Sequence, residues 1–301
     1  MAEDHDDIAA IAATIPALTG WQGVPHRLGG LTNRVWRLGD HILRIPGEGT
    51  AEYIDRAAET VAARAAAAAG VAPDVLHADP ATGLMVTRFV PDTLTMTPAG
   101  FTARPGSPAR AALALRRLHT SGAVFPFRFE LFAMIDDYLR ILSGKDVALP
   151  GGYHDTVAQA GAVRAALAAQ PLPLAPCHCD PLCENFLDTG ARMWIVDWEY
   201  AGMNDPMWDL GDLSVEAQFT PDQDAALLTA YFGGPAPARD QARMVIYKAM
   251  CDLLWTLWGL IQLAGGNPAD DFRAYADGRF ARCRALMATP RFARHLHSLT
   301  G

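Results

Sequence analysis

The chain has 301 residues, half of them hydrophobic and 19% charged, which is typical of a globular protein with one large domain or two lobes. Its formal net charge of −8 argues against a nucleic-acid partner, because an acidic surface repels a polyphosphate chain, and favours a cationic small molecule. We find no signal-peptide pattern, no apolar run long enough to cross a bilayer and no disulfide framework among five cysteines, so we expect a cytoplasmic protein without membrane insertion.

The first third of the chain is predicted to form a small sheet with helices. A two-residue Gly39-Asp40 pair indicates a hairpin turn, and an alanine-rich stretch that ends at Gly70 indicates a helix. The predicted elements are a short amphipathic helix over residues 1–20 that ends at Gly20, strands over 26–28, 35–38 and 42–45, a helix over 55–69 and a strand over 84–89.

The rest of the chain is predicted to be mainly helical. The strands stop near residues 89–97, so we divide the chain into residues 1–92 and 93–301, an α+β arrangement. A hairpin is predicted around Asp188-Thr189-Gly190, with strands over 185–187 and 193–196. The predicted helices cover 107–119, 131–142, 156–169, 241–263 and 269–286.

Two carboxylates and an amide are predicted to meet beside this hairpin. Asp180 precedes Asn185 by five positions, and the hairpin returns Asp197 to the side of Asn185. Phosphoryl transfer needs one carboxylate to orient and deprotonate the attacking hydroxyl, and hard oxygen ligands to hold Mg²⁺. We therefore predict that Asp180 is the base, that Asn185 and Asp197 bind the metal, and that His178 braces the loop. The alternative for each residue alone is a turn or cap.

A second interpretation of the same segment is a thiolate metal site. Cys177, His178, Cys179 and Cys183 lie within seven positions, and zinc sites use such ligands. The Cys-x-Cys spacing is not the usual knuckle, and no second ligand pair follows at a suitable distance. We therefore expect the cysteines to pack as small apolar residues.

The run His178-x-Asp180-x-x-x-x-Asn185 with Asp197 resembles the catalytic and metal-binding segments of kinase-like phosphotransferases. Its continuation over residues 197–210 resembles choline and ethanolamine kinases, as do residues 29–34, 42–47 and 252–262. The resemblance covers roughly residues 25–286. It implies an ATP-dependent kinase with a two-lobed, protein-kinase-like fold, in which a small N-terminal sheet-plus-helix lobe precedes a larger helical lobe.

The resemblance also implies how the nucleotide is held. It assigns Arg44 to the phosphates and Glu59 to an ion pair that fixes Arg44. Arginine stands where most kinases have lysine, and the loop lacks the Gly-x-Gly-x-x-Gly pattern. The loop residues assigned to ATP are Gly29, Gly30, Thr32 and Asn33.

In choline kinases, the residues that match Glu199, Tyr200, Trp255 and Trp258 line the alcohol site. A quaternary ammonium donates no hydrogen bond, so aromatic faces and a nearby negative charge suit it. We therefore expect choline as the acceptor. Ethanolamine, aminoglycosides and thiamine are alternative acceptors in the same class, and a non-catalytic ligand-binding relative is the alternative outside it. The alternative role for both tryptophans is packing in the hydrophobic core.

Overall fold

The fold begins with an antiparallel sheet and two helices. A computed structural model of the chain describes residues 2–30, 32–47 and 49–300. The elements of this region are α1 (Ala2–Thr14), β1 (His26–Arg27), β2 (Arg34–Leu38), β3 (His41–Ile45), α2 (Arg56–Ala68), β4 (Val75–Ala78) and β5 (Met85–Arg88). The five strands lie in the order β1-β2-β3-β5-β4, so β3 is central.

The β2–β3 hairpin sets the register of this sheet. Gly39 takes a left-handed φ of 62° in the turn, as its Gly-Asp sequence predicted. Arg44 on β3 lies opposite Val35 on β2 and Met85 on β5. The hairpin therefore holds Arg44 on the central strand, with a neighbouring strand on each side.

Helix α1 covers one face of the sheet. Ile8 and Ile15 lie in a buried cluster with Trp36 and Leu43. The predicted end of this helix at Gly20 is wrong, because the α-helix ends at Thr14 and a short 3-10 turn covers Pro16–Leu18. Proline cannot donate the backbone hydrogen bond that would continue the helix.

Helix α2 begins at a side-chain cap. Asp55 accepts hydrogen bonds from the backbone N–H groups of Ala57 and Ala58 at 2.9 and 3.0 Å. The buried face of the helix is mostly alanine, but Glu59 also lies on it and is only 2% exposed. A carboxylate at that depth needs a cationic or hydrogen-bonding partner.

The remainder of the chain is mainly helical, with two small sheets. The strands are β6 (Leu94–Thr95), β7 (Ala175–Cys177), β8 (Phe186–Asp188), β9 (Met193–Ile195) and β10 (Gly202–Asn204), in the orders β6-β8-β9 and β10-β7. The helices are α3 (Pro98–Ala103), α4 (Ser107–His119), α5 (Leu131–Ser143), α6 (Tyr153–Ala169), α7 (Pro206–Glu216), α8 (Pro221–Phe232), α9 (Ala238–Ala264), α10 (Phe272–Met287) and α11 (Pro290–Ser298). This arrangement confirms the predicted α+β fold class.

Helix α9 is the central helix of the core. Its length and composition would suffice to cross a membrane, contrary to our expectation that no such segment exists. However, 89% of its most apolar window is buried within the fold, where it packs against α7 and α10. The apolar character of α9 is therefore accounted for by its neighbours in the protein.

Candidate active site

The loop between β7 and β8 carries Asp180 and is held by a buried carboxylate. Asp209 on α7 has no exposed surface, and its two oxygens accept hydrogen bonds from the backbone N–H groups of His178 and Cys179, each at 2.8 Å. The ring of His119 contacts the same carboxylate at 2.9 Å. Because a buried carboxylate needs such partners, the three contacts fix Asp209 and the loop together.

His178 joins this loop to the segment that leads to Asp197. Its Nε2 lies 2.9 Å from the carbonyl oxygen of Val196, and the Asp180 N–H donates to its Nδ1 at 3.3 Å. Burial lowers the pKa of His178, so the ring is neutral, with Nε2 as donor and Nδ1 as acceptor. Both ring nitrogens are thus engaged in holding the loop.

The structure brings Asp180, Asn185 and Asp197 together. The side-chain amide of Asn185 donates to the backbone oxygen of Asp180 at 3.0 Å, and the Val196 N–H donates to the backbone oxygen of Asn185 at 3.0 Å. Donation through Nδ2 leaves Oδ1 of Asn185 to act as a ligand. Asp197 takes a φ of 66°, uncommon for a residue other than glycine, and the residue is partly buried.

Burial raises the pKa of both carboxyl groups. The pKa of Asp180 is raised well above its usual value, first by burial and then by the negative charges of Asp212 and Asp197. The pKa of Asp197 is raised to about 7, first by burial and then by the charge of Glu199. A raised pKa makes the carboxylate of Asp180 a stronger base. It also shows a local excess of negative charge that a bound cation would relieve.

Two arginines and three carboxylates lie beside this motif, and we call Arg44, Arg56, Glu59, Asp197 and Glu199 the arginine–carboxylate cluster. Nη1 of Arg44 pairs with Glu59 and lies 3.3 Å from Asp197 and 3.4 Å from Glu199. Nη1 of Arg56 pairs with Glu199 and lies 3.0 Å from Glu59. The ion pair between Arg44 and Glu59 joins the residues that the resemblance implied, whereas the sequence analysis missed Arg56.

The glycine-rich loop lies against the segment that follows β3. Gly30 takes a φ of 128°, and a Cβ there would lie 2.3 Å from the carbonyl oxygen of Asn33, so a side chain is excluded. The buried Asn33 accepts a hydrogen bond from the Gly47 N–H at 3.3 Å. Gly29 and Thr32 flank this turn, and Leu31 lies outside the described residues.

The predicted acceptor residues do not all share one wall. Tyr200 packs edge-on against Trp255 with ring centroids 5.2 Å apart, whereas Trp258 packs edge-on against Phe272 and Tyr275, each at 5.6 Å. Both tryptophans are nearly buried. Glu199, which the resemblance placed with them, contacts the two arginines of the arginine–carboxylate cluster.

Other carboxylates, which the sequence analysis missed, lie behind the aromatic residues. Asp212 is buried and accepts a hydrogen bond from Nε1 of Trp255 at 3.1 Å, while its second oxygen has no hydrogen-bond partner among the described residues. Glu216, one turn further along α7, pairs with the buried Arg279. The guanidinium of Arg279 also lies over the ring of Tyr275 at 4.6 Å. This acidic and aromatic region could have been found from the acid spacing of residues 209–216.

The thiols of the segment are engaged in packing. Burial raises the pKa of Cys177, Cys179 and Cys183, which keeps them as thiols. Cys177 lies close enough to His119 and Asp209 to share a metal ion with them. However, the histidine already contacts Asp209 and Tyr231, and the carboxylate already accepts two backbone N–H groups, so these atoms are satisfied by the protein.

Comparison with known proteins shows similarity over nearly the whole chain. Residues 24–245 match the model of the phosphotransferase enzyme family. A choline/ethanolamine kinase family protein from Mesorhizobium loti is 68% identical, with a TM-score of 0.91 over 98% of this chain and 99% of that one. Choline kinase LicA from Streptococcus pneumoniae is 25% identical, with a TM-score of 0.81 over 94% and 99%. Protein LicA from Haemophilus influenzae is 25% identical over 255 residues, which cover 81% of this chain and 75% of that protein.

Proposed function

We propose that this chain, which belongs to the choline/ethanolamine kinase family within the phosphotransferase enzymes, transfers the γ-phosphoryl group of ATP to the hydroxyl of a small cationic amino alcohol, with choline as the preferred acceptor. One observation carries the proposal. Asp180 lies close enough to Asp197 and to Asp212 for both charges to raise its pKa. The proposed base is therefore near the proposed metal ligand Asp197 and near the carboxyl group that contacts Trp255.

The residues present fit a magnesium–nucleotide complex. Asn185 and Asp197 offer the hard oxygen ligands that Mg²⁺ prefers, and the raised pKa of Asp197 reflects negative charge that the ion would offset. When bound, the metal neutralises the charge of the phosphates. On the protein side, Arg44 would bind the phosphates, and the loop of Gly29, Gly30, Thr32 and Asn33 would cover them.

Asp180 then performs the proton chemistry of the reaction. We infer that its carboxylate accepts a hydrogen bond from the acceptor hydroxyl and takes the proton as the phosphoryl group is transferred. Asp209 and His178 hold its backbone in place while it does so. Burial and neighbouring acids raise the pKa of Asp180, which makes its carboxylate a stronger base.

The acceptor is proposed to bind with its charged end at the aromatic wall. Tyr200 and Trp255 would offer ring faces from one aromatic pair and Trp258 and Tyr275 from another, with the carboxyl group of Asp212 beside Trp255. Cation–π contacts contribute about 0.5–2 kcal/mol each. Choline is favoured over ethanolamine because its ammonium group is less strongly hydrated and covers more ring surface.

We also propose that the two parts of the chain bind different substrates. Residues 1–92 hold the nucleotide through Arg44 and Glu59, and residues 93–301 hold the acceptor and Asp180. The five buried thiols, none of which forms a disulfide, suit a reducing compartment such as the cytoplasm.

The test is an ATP-turnover assay with choline, ethanolamine, thiamine and an aminoglycoside as acceptors. We expect the largest kcat/KM for choline. Asp180→Asn should keep its melting temperature and ATP affinity but lower kcat by about 10²–10⁴-fold, since it removes the proton acceptor. An aminoglycoside as the best substrate would refute the amino-alcohol assignment, and wild-type turnover by Asp180→Asn would refute the role of the base.

A further inference from the structure

Arg44 has hydrogen-bonding capacity that the protein does not use. The residue is buried, yet its Nε and Nη2 atoms have no hydrogen-bond partner among the residues described. Its third guanidinium nitrogen, Nη1, holds Glu59 and approaches Asp197 and Glu199. Buried N–H groups without acceptors are energetically costly. The Nε and Nη2 groups of Arg44 are therefore available to donate hydrogen bonds to the oxygens of a bound anion.

Arg56 lies against the same carboxylates as Arg44. Its Nη1 pairs with Oε1 of Glu199, and that oxygen is also 3.4 Å from Nη1 of Arg44. The two guanidinium groups are therefore neighbours on one shared atom. Arginine has five N–H donors, and the contacts of Arg56 with described residues use three of them, on Glu199, Glu59 and Thr50. Two donors are left for a ligand.

A chain of contacts also connects Arg56 to the glycine-rich loop. Nη2 of Arg56 donates to Thr50 Oγ1 at 2.6 Å, and this hydroxyl donates to the carbonyl oxygen of Gly47 at 2.8 Å. Gly47 in turn donates its N–H to Asn33, and a Cβ at Gly47 would lie 1.9 Å from the carbonyl oxygen of Thr32. Arg56 is thus tied to the loop that would cover the phosphates.

The negative charge of the arginine–carboxylate cluster explains why a second arginine is needed beside Arg44. Three carboxylates face two arginines, so an incoming polyphosphate meets an excess of negative charge that Arg44 alone would not offset. Arginine is suited to this position, because its planar fork binds carboxylate and phosphate oxygens alike. The same donors can therefore serve the carboxylates and a phosphate.

We propose that Arg56 is a second phosphate-binding residue of the nucleotide site, which contacts the β- or γ-phosphate of ATP beside Arg44. The proposal rests on the proposed function, because it takes ATP as the donor. It assigns Arg56 to the phosphates beyond the α-phosphate, so the affinity for ATP should depend on Arg56 and the affinity for AMP should not.

The test is equilibrium titration of the full chain with ATP and with AMP, in buffer with magnesium and without acceptor. Arg56→Gln should weaken ATP binding by about tenfold or more, because charge-assisted hydrogen bonds to phosphate are lost, and change AMP binding by less than about twofold. Arg56→Lys keeps the charge but not the fork, and its ATP affinity should lie between those of wild type and Arg56→Gln. Arg64→Gln is the matched control, since Arg64 lies on the exposed side of the same helix, and it should bind ATP like the wild type.

The comparison of the two nucleotides separates the possible failures. If Arg56→Gln binds ATP like the wild type, or loses ATP and AMP affinity equally, Arg56 is structural and the proposal is wrong. AMP binding also reports whether the variant is folded, and Arg56→Lys repeats the test with a smaller disturbance. If the wild type binds neither nucleotide, both the proposed function and this inference are wrong. A wild type that prefers ATP while Arg56→Gln is unaffected overturns this inference alone.

Discussion

Replacing Asp209 by asparagine should loosen the loop that carries Asp180, the proposed catalytic base. Asparagine has the shape of aspartate, but it offers one acceptor oxygen where Asp209 offers two, and those two receive the N–H groups of His178 and Cys179. The amide NH₂ would then face one of the two N–H groups. A buried donor left without an acceptor costs about 1–3 kcal/mol.

Both stability and turnover should report this loss. For a chain of this size, each kcal/mol lowers Tm by about 2–4 °C, so Asp209→Asn should melt roughly 2–12 °C below the wild type. A displacement of about 1 Å in a reacting group can cost on the order of 10²-fold in rate, so kcat should fall far more than the population of folded protein does. The KM for ATP should change little, because Asp209 contacts the base loop and not the arginine–carboxylate cluster.

The assay is thermal unfolding together with steady-state kinetics for ATP and choline. The matched control is Asp137→Asn, which changes an exposed carboxylate that pairs with Arg140. We expect the control to match the wild type in Tm and kcat. A folded Asp209→Asn variant whose kcat stays within about twofold of wild type would show that the position of Asp180 does not depend on Asp209.

Three further predictions concern the metal motif, the acceptor wall and the glycine-rich loop. The fold raises the pKa of Asp197 from 3.8 to about 7, so the folded protein binds an extra proton in this range, and metal-free wild type should lose stability as pH rises through it. Asp197→Asn should lack this dependence in thermal unfolding with EDTA, and parallel pH profiles would contradict it. Trp258→Leu should lower kcat/KM for choline roughly two- to thirty-fold without changing the KM for ATP, and unchanged choline kinetics would remove Trp258 from the acceptor site. Gly30→Ala should raise the KM for ATP but not for choline, because its Cβ would lie 2.3 Å from the Asn33 carbonyl oxygen, and an unchanged KM for ATP would separate this loop from the nucleotide.

Elements with local signals could be predicted from the sequence. The hairpin around Thr189 follows from its Asp-Thr-Gly turn, and the structure pairs Leu187 with Trp194 across it. Helix α4 has the predicted bounds, because Ser107-Pro108 begins it and its apolar residues recur at helical spacing. In each case the residues that determine the element lie within that element.

Helix α7 was missed because its pattern is not amphipathic. Eight consecutive residues from Met207 to Ser214 are buried, so this part of the helix has no exposed face that would produce an amphipathic pattern. Gly211 in its middle is typical of a break, yet here it permits close packing, since a Cβ would lie 2.8 Å from the carbonyl oxygen of Met244 on α9. The available signal was Asp205-Pro206, a capping residue followed by a proline at the first helical position.

The residues of the candidate site also fall into a group that could be predicted from the sequence and a group that could not. Asp180, Asn185 and Asp197 lie close together in sequence, so the predicted hairpin was enough to bring them together. Arg56 and Glu199 are 143 residues apart, and only the folded chain brings them into contact. Glu199 illustrates the difference, since the resemblance assigned it to the acceptor site, whereas only the structure shows its contacts with the two arginines.

Helix α7 connects the base to the selection of a charged acceptor. Asp209, Asp212 and Glu216 are spaced three and four residues apart, so they share one face of the helix. The first holds the loop of Asp180, and the other two lie at the acidic and aromatic wall. A rise of 1.5 Å per residue fixes the outer two about 10 Å apart along the axis. Under the proposed function, an acceptor would present its hydroxyl to Asp180 while its other end lies near Asp212 and Glu216. A cation at that end would favour the ionised form of Asp212, whose pKa is raised first by burial and then by the charge of Glu216, so we propose that α7 both holds the loop of Asp180 and favours a cationic acceptor.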